Sequence, residues 1–170
     1  MRSTRKISRL PNFDYRSNGA YAITICTFNR KRIFGTIREG VMHLNPYGRI
    51  ALIEWQKTPL LRSYVHLDEF IIMPNHIHAI LFFESNFSHK TEQLETREFG
   101  KPQIKSLGTV IGAYKSAVSK EIGILRGERT QTWQPKFFEH IIRNDLDLQH
   151  QREYILNNPL KWADDDLFTS

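Results

Sequence analysis

His66–Met73 reads HLDEFIIM, Pro74-Asn75 follows, and His76–Glu84 reads HIHAILFFE. Both runs are rich in apolar, β-branched and aromatic residues. The two residues between them carry turn chemistry. The pattern predicts two antiparallel strands joined by a tight turn. Upstream, Ala20–Phe28 (AYAITICTF) is apolar on nearly every second position and predicts a further central strand, with Arg30, Lys31 and Arg32 as a basic loop at its end. Val41–Leu44 is a short strand. Asn45-Pro46 supplies an N-cap and a first-turn proline, and Ile50, Leu52, Ile53 and Trp55 continue as an amphipathic helix to about Lys57, stopping before Pro59.

Downstream, residues 85–105 are polar and charged without an apolar period, which predicts a long exposed loop. Ser106 can cap a helix running to about Ile122, with Leu107, Val110, Ile111, Tyr114 and Val118 on one side. Trp133–Ile142 (WQPKFFEHII) reads as extended, and Leu146–Asn158 as helical, with Pro159 just after it. Helices thus alternate with strands, and two strands share a tight turn. This predicts an α+β single domain over residues 1–170, with a mainly antiparallel sheet and helices on one face. Residues 1–18 form a basic N-terminal arm, and the end, 163–170, a short acidic tail.

The 170 residues carry 24 Lys+Arg against 18 Asp+Glu, 40% hydrophobic residues and one cysteine. These values exclude a disordered or fibrous chain, a disulfide framework and a cysteine-based zinc cluster. No apolar run is long enough to cross a membrane, and the basic start, MRSTRKISRLPN, lacks the apolar stretch of a secretory signal. The expected location is the cytoplasm. The net charge of +6 favours a polyanionic partner or simply solubility. The arm, with Arg2, Arg5, Lys6, Arg9 and Arg16, is either a phosphate-contacting segment or a solvated tail.

His76-Ile77-His78 is the sharpest local feature. Side chains at i and i+2 of a strand share a face, so two imidazoles project together while Ile77 turns into the opposite, packed face. They can share one divalent metal, or be two surface histidines. Tyr154 and Asn158 lie four apart on one helical face, with His150 one turn earlier. An amide oxygen can be a third metal ligand, and the phenol beside it a nucleophile. Equally, Tyr154 can pack in the core and Asn158 can cap the helix. Tyr114 is a rival phenol, but its helix face is apolar, so core packing accounts for it. His140 alternates with Phe138 and Ile142, as a half-buried structural histidine would; Glu139 and Asn144 are outside candidates. No phosphate-binding loop, nucleophile elbow or dinucleotide fingerprint occurs.

Three segments in this order, MPNHIHAIL (73–81), WQPKFFEHIIRN (133–144) and REYILNNPLKW (152–162), resemble the REP-associated tyrosine transposases, bacterial relatives of the single-tyrosine insertion-sequence transposases in the HUH endonuclease superfamily. The resemblance extends roughly from Ala20 to Trp162. It implies a ferredoxin-like domain with the histidine pair on a central strand and the tyrosine helix beside it. It implies a nucleoid-associated protein that cleaves and joins single-stranded DNA at hairpin-bearing ends resembling repetitive extragenic palindromes. Tyr154 matches the nucleophile, giving a 5′-phosphotyrosine, and His76 and His78 match the metal pair. Asn158 stands where the insertion-sequence branch has Gln, as in the REP-associated branch. Mixed nitrogen and oxygen ligands suit Mg²⁺ or Mn²⁺. The family works as monomer or homodimer. Candidate DNA contacts are Arg30, Lys31, Arg32, Lys115 and Lys136, with Tyr21 or Phe137 stacking on bases. Two alternatives stay open: a nucleic-acid-binding module without catalysis, which needs only the basic and aromatic residues, and a metal-dependent hydrolase that uses His76 and His78 with water as nucleophile.

Overall fold

The computed structural model describes residues 19–84, 106–129, 131–164 and Leu167. The arm (1–18), the polar segment 85–105 and most of the tail lie outside the described residues. The elements are β1 (Ala20–Cys26), β2 (Gly35–Arg38), β3 (Val41–Leu44), α1 (Pro46–Leu61), β4 (Val65–Ile72), β5 (His76–Phe83), α2 (Leu107–Arg126), β6 (Phe138–Ile141) and α3 (Asp145–Asn157).

β4 and β5 form the hairpin the sequence predicts. They pair antiparallel, and Met73 N–H donates to the His76 carbonyl at 2.8 Å, closing the Pro74-Asn75 turn. β5 then pairs antiparallel with β1, and β1 with β6, giving the strand order β4-β5-β1-β6. β1–α1–β4 and β5–α2–β6 are therefore two interleaved crossovers, each skipping one strand. This is the ferredoxin-like arrangement, with an antiparallel sheet as expected. Right-handed crossovers put α1 and α2 on the same face. There Ile23, Ile25, Ile77, Ala79 and Leu81 from the central strands pack against Trp55, Val110, Ile111, Tyr114 and Val118.

The expectation of helices on one face holds for α1 and α2 and fails for α3. Alternate residues of β1 and β5 form a second, smaller core on the other face. Ala20, Ala22, Ile80 and Phe82 meet Leu148 and Ile155 of α3 and Ile142 beyond β6. The apolar residues of β5 are nearly continuous, as in a strand covered on both sides. That continuity is the signal for a helix on each face.

Other boundaries move for local reasons. α1 continues through Pro59 to Leu61, because a proline near the last turn removes one donor without ending the helix, and Arg62 N–H closes on the Thr58 carbonyl. Its start is as predicted: Asn45 Oδ1 accepts from Gly48 N–H at 3.0 Å. A Cβ at Gly48 would overlap the Phe34 carbonyl, so this turn needs glycine. α2 runs one turn beyond Ile122 and stops at Gly127, whose positive φ of 73° is the left-handed cap. β1 ends at Cys26, and Phe28–Arg30 form a short 3₁₀ turn. Only Phe138–Ile141 of the extended 133–142 segment joins the sheet, Trp133 adding an isolated bridge to Thr27. The strand at 41–44 pairs with Gly35–Arg38 in a separate hairpin, outside the main sheet. Among the described residues no helix is long and apolar enough to cross a membrane.

Candidate active site

β5 decides where the site lies. Ile77 is fully buried in the α1/α2 core, so His76 and His78 face α3, on the side of Ile80 and Phe82. Ile80 and Phe82 contribute to the apolar core with Leu148 and Ile155. His76 and His78, at the turn end of the strand, meet the last turn of α3. Their ring centroids are 4.5 Å apart, and both are buried.

Two contacts fasten α3 there. The strand irregularity between Leu67 and Phe70 carries Asp68, whose carboxylate takes both arms of Arg152: Nε to Oδ2 at 2.7 Å and Nη2 to Oδ1 at 3.0 Å. At the other end, Asn144 caps the helix by accepting from Asp147 N–H at 2.9 Å, and His140 Nε2 contacts both Asp147 oxygens at 2.9 Å. Asp145 and Asp147 also suit the positive end of the helix. His140 is thus exposed and paired rather than half-buried, and Asn144 is a capping residue. Glu139 is exposed on the edge strand opposite Ile23, facing away from α3.

With α3 fixed, Tyr154 stands over His78. The rings are edge-to-face at 5.1 Å, and the phenol oxygen lies 3.4 Å from His78 Nε2. Tyr154 is half exposed and Asn158, at the start of the 3₁₀ turn after α3, is buried. The Asn158 carboxamide acts on His76, opposing the fall in its pKa. The structure therefore brings His76, His78, Tyr154 and Asn158 together. A groove of about 600 Å³ opens beside them.

The tautomers can be read from the partners. Asn75 is fully buried, and its Nδ2 donates to the carbonyls of Leu167 at 2.7 Å and Arg30 at 3.1 Å. That fixes its amide, so Oδ1 faces His76 Nδ1 at 2.7 Å and must accept. His76 carries its proton on Nδ1, and the buried Nε2 keeps its lone pair. Burial first, then His78 and Arg30, push the His76 pKa down to about 2, so the ring is neutral. Thr24 Oγ1 lies 2.8 Å from His78 Nδ1 and can accept its proton in the same way. The sequence marks Asn75 only as a turn residue and does not mark Thr24. Thr24 stands directly opposite His78 across the β1–β5 ladder, which became visible only once the register was known.

Trp162 extends the site. Its ring lies 5.9 Å from His76, and the Arg32 guanidinium sits 5.6 Å above it. Arg30 bears electrostatically on His76, so the basic loop borders the histidines, pinned by Thr27 and Asn75. Arg30, Lys31, Arg32 and Lys136 are exposed. Lys115 is different: its ammonium donates to the Gln134 carbonyl at 2.6 Å and the Pro135 carbonyl at 3.0 Å. Burial lowers its pKa. Its contacts tie α2 to the segment before β6. The stacking expectation also shifts. Tyr21 packs edge-on to Phe83 at 5.7 Å, and Phe137 packs against the α1/α2 core, so both rings are partly buried. Tyr114 is buried as its spacing predicts, its hydroxyl donating to the Ala51 carbonyl at 3.1 Å.

Among the described residues no three His, Cys, Asp or Glu side chains could hold a metal together. The set here is two imidazoles and an amide. The buried His76 Nε2, which makes no hydrogen bond of normal geometry, fits a metal ligand.

Comparison with solved structures places this fold beside transposases. A REP-associated tyrosine transposase solved bound to a REP hairpin superposes with a TM-score of 0.53 at 18% identity, over 91% of this chain and 74% of that one. The likeness shows the fold. No protein-family model matches the chain. An uncharacterized protein of Haemophilus influenzae is 34% identical over 168 residues, covering 96% of this chain and 93% of its own, and the chain belongs to that protein's family.

Proposed function

We propose that the chain is a metal-dependent endonuclease and strand transferase that acts on single-stranded DNA at hairpin-bearing ends, with Tyr154 as nucleophile. One observation carries the reading: an exposed phenol stands 3.4 Å from an imidazole nitrogen of a buried histidine pair, beside an open groove. The transposase of the same fold, solved with a REP hairpin, supports the substrate class.

The Tyr154 oxygen attacks a backbone phosphorus. A Tyr–O–P bond to the 5′ side forms as the P–O3′ bond breaks. The phenol proton passes to solvent across the open face, and the departing 3′ oxygen is protonated. The phosphotyrosine keeps the ester bond, so another 3′-hydroxyl can reverse the step on a different strand. A free phenol has a pKa of about 10 and is a poor nucleophile near neutrality. His76 Nε2, His78 Nε2 and the Asn158 amide oxygen would hold Mg²⁺ or Mn²⁺. Such an ion, when bound, polarises a nonbridging phosphate oxygen and offsets developing charge. Asn75 holds the His76 imidazole with its proton on Nδ1, the state that ligation by Nε2 requires, and Thr24 can accept from His78 Nδ1 in the same way. Arg30, Lys31, Arg32 and Lys136 are the exposed cations for the DNA backbone.

The test is incubation of labelled hairpin-bearing single strands with the protein and Mn²⁺ or Mg²⁺, followed by denaturing electrophoresis. A protein-linked labelled fragment is expected. Free cleaved product without a covalent adduct would favour a hydrolase that uses water, and binding without cleavage would favour a module without catalysis.

A further inference from the structure

Phe138 is the first residue of β6, an edge strand, and is 64% exposed. An aromatic ring open to water at a sheet edge is unusual, because burial of such a ring is worth about 2–3 kcal/mol. It makes no ring contact with another aromatic among the described residues, whereas the Tyr21, Phe34, Trp55, Tyr64 and Trp133 rings all do. Its place in the ladder is specific. Phe138 pairs with Thr24, and Thr24 pairs with His78. Residues directly opposite in a ladder share a face, so Phe138, Thr24 and His78 form one row across three strands, on the face that carries Tyr154. Two strand spacings separate the Phe138 and His78 backbones, about 10 Å. Phe138 also lines the groove into which Tyr154 and His78 open.

We propose that Phe138 is the stacking platform for an unpaired nucleobase of the strand whose phosphate lies at Tyr154. This rests on the reading of the site as one for single-stranded DNA and adds the residue that holds the nucleotide beside the bond to be cut. Charge alone does not supply that hold, since the groove carries Glu153 and Asp164 as well as Lys161. A ring face is indifferent to charge and accepts any base, so the platform orients the strand without reading its sequence. Two residues earlier, exposed Lys136 is placed to contact the backbone of the same strand.

The test compares binding of a 20-nucleotide oligothymidylate and an abasic strand of equal length, without divalent metal, so that cleavage plays no part. Wild type should prefer oligothymidylate. Phe138→Ala should weaken that binding by about 5- to 150-fold, the range for one stacked base, and leave abasic binding unchanged. Phe138→Leu, which keeps an apolar contact without a ring face, should behave like the alanine variant. Phe138→Trp should restore the preference, with its fluorescence quenched by oligothymidylate. Equal binding of oligothymidylate by wild type and Phe138→Ala, with the wild type still cleaving hairpin strands, would overturn the platform and leave the proposed function standing. Failure of the wild type to bind either strand would overturn both. A halving of the particle mass in sedimentation on Phe138→Ala would assign the ring to contact between two copies and overturn the platform.

Discussion

The Tyr154 hydroxyl lies 3.4 Å from Nε2 of His78, across 76 positions of sequence. The contact depends on α3 crossing to the face of the sheet opposite α1 and α2. It depends equally on β5 turning His76 and His78 toward that face. The anchor of α3 and the tautomers of the two histidines are therefore as testable as the site itself.

Asp68→Ala should loosen the tyrosine helix. It leaves the buried Arg152 guanidinium without its carboxylate, which costs about 3 kcal/mol, the low end for a buried pair because Asp68 is partly exposed. Chemical denaturation should show that loss. Adduct formation should fall as well, because the Asp68–Arg152 pair holds α3, which carries Tyr154, against β4.

Asn75→Ala removes the acceptor for His76 Nδ1–H and the donors to the Arg30 and Leu167 carbonyls. With His76 free to change tautomer, Mn²⁺ affinity measured calorimetrically should drop about 10- to 100-fold, the usual consequence of losing a ligand's hydrogen-bond partner. Unchanged affinity would show that Asn75 serves the loop and not the histidine.

Lys115 and Lys136 should separate cleanly. Lys136→Ala should lower the slope of log affinity against log salt by about 1, the effect of one lost phosphate contact. Lys115→Ala should leave that slope unchanged and lower stability by about 1–2 kcal/mol, because two buried-side carbonyl bonds are lost. A reversed pattern would put Lys115 at the DNA.

Much of this arrangement was legible before the fold was known, for physical reasons. The i, i+2 spacing of His76 and His78 determines that they share a face, and the i, i+4 spacing of Tyr154 and Asn158 does the same on a helix. The Pro74-Asn75 turn determines the hairpin. The face taken by α3 is less local, since it depends on where the chain emerges from β6, at the end of a crossover. Only Ile80 and Phe82, apolar on the supposedly free side of β5, announced it. Thr24 and Phe138 became visible only with the register, which sets them in one row with His78. Lys115 looked like any surface cation, and its carbonyl partners, on a loop about 20 residues downstream, are not marked in the sequence. Gly35–Arg38 is too short and too polar to stand out as a strand without its partner.

The most direct test is mass spectrometry of the protein after reaction with a hairpin-bearing single strand and Mn²⁺, in parallel for wild type, Tyr154→Phe and Tyr114→Phe. Wild type and Tyr114→Phe should each yield a peptide carrying a nucleotide on Tyr154. Tyr154→Phe should yield none while binding the hairpin with near wild-type affinity, since one half-exposed hydroxyl is all that is removed. A nucleotide on any other residue, or normal cleavage by Tyr154→Phe, would contradict the assignment of Tyr154 as the nucleophile.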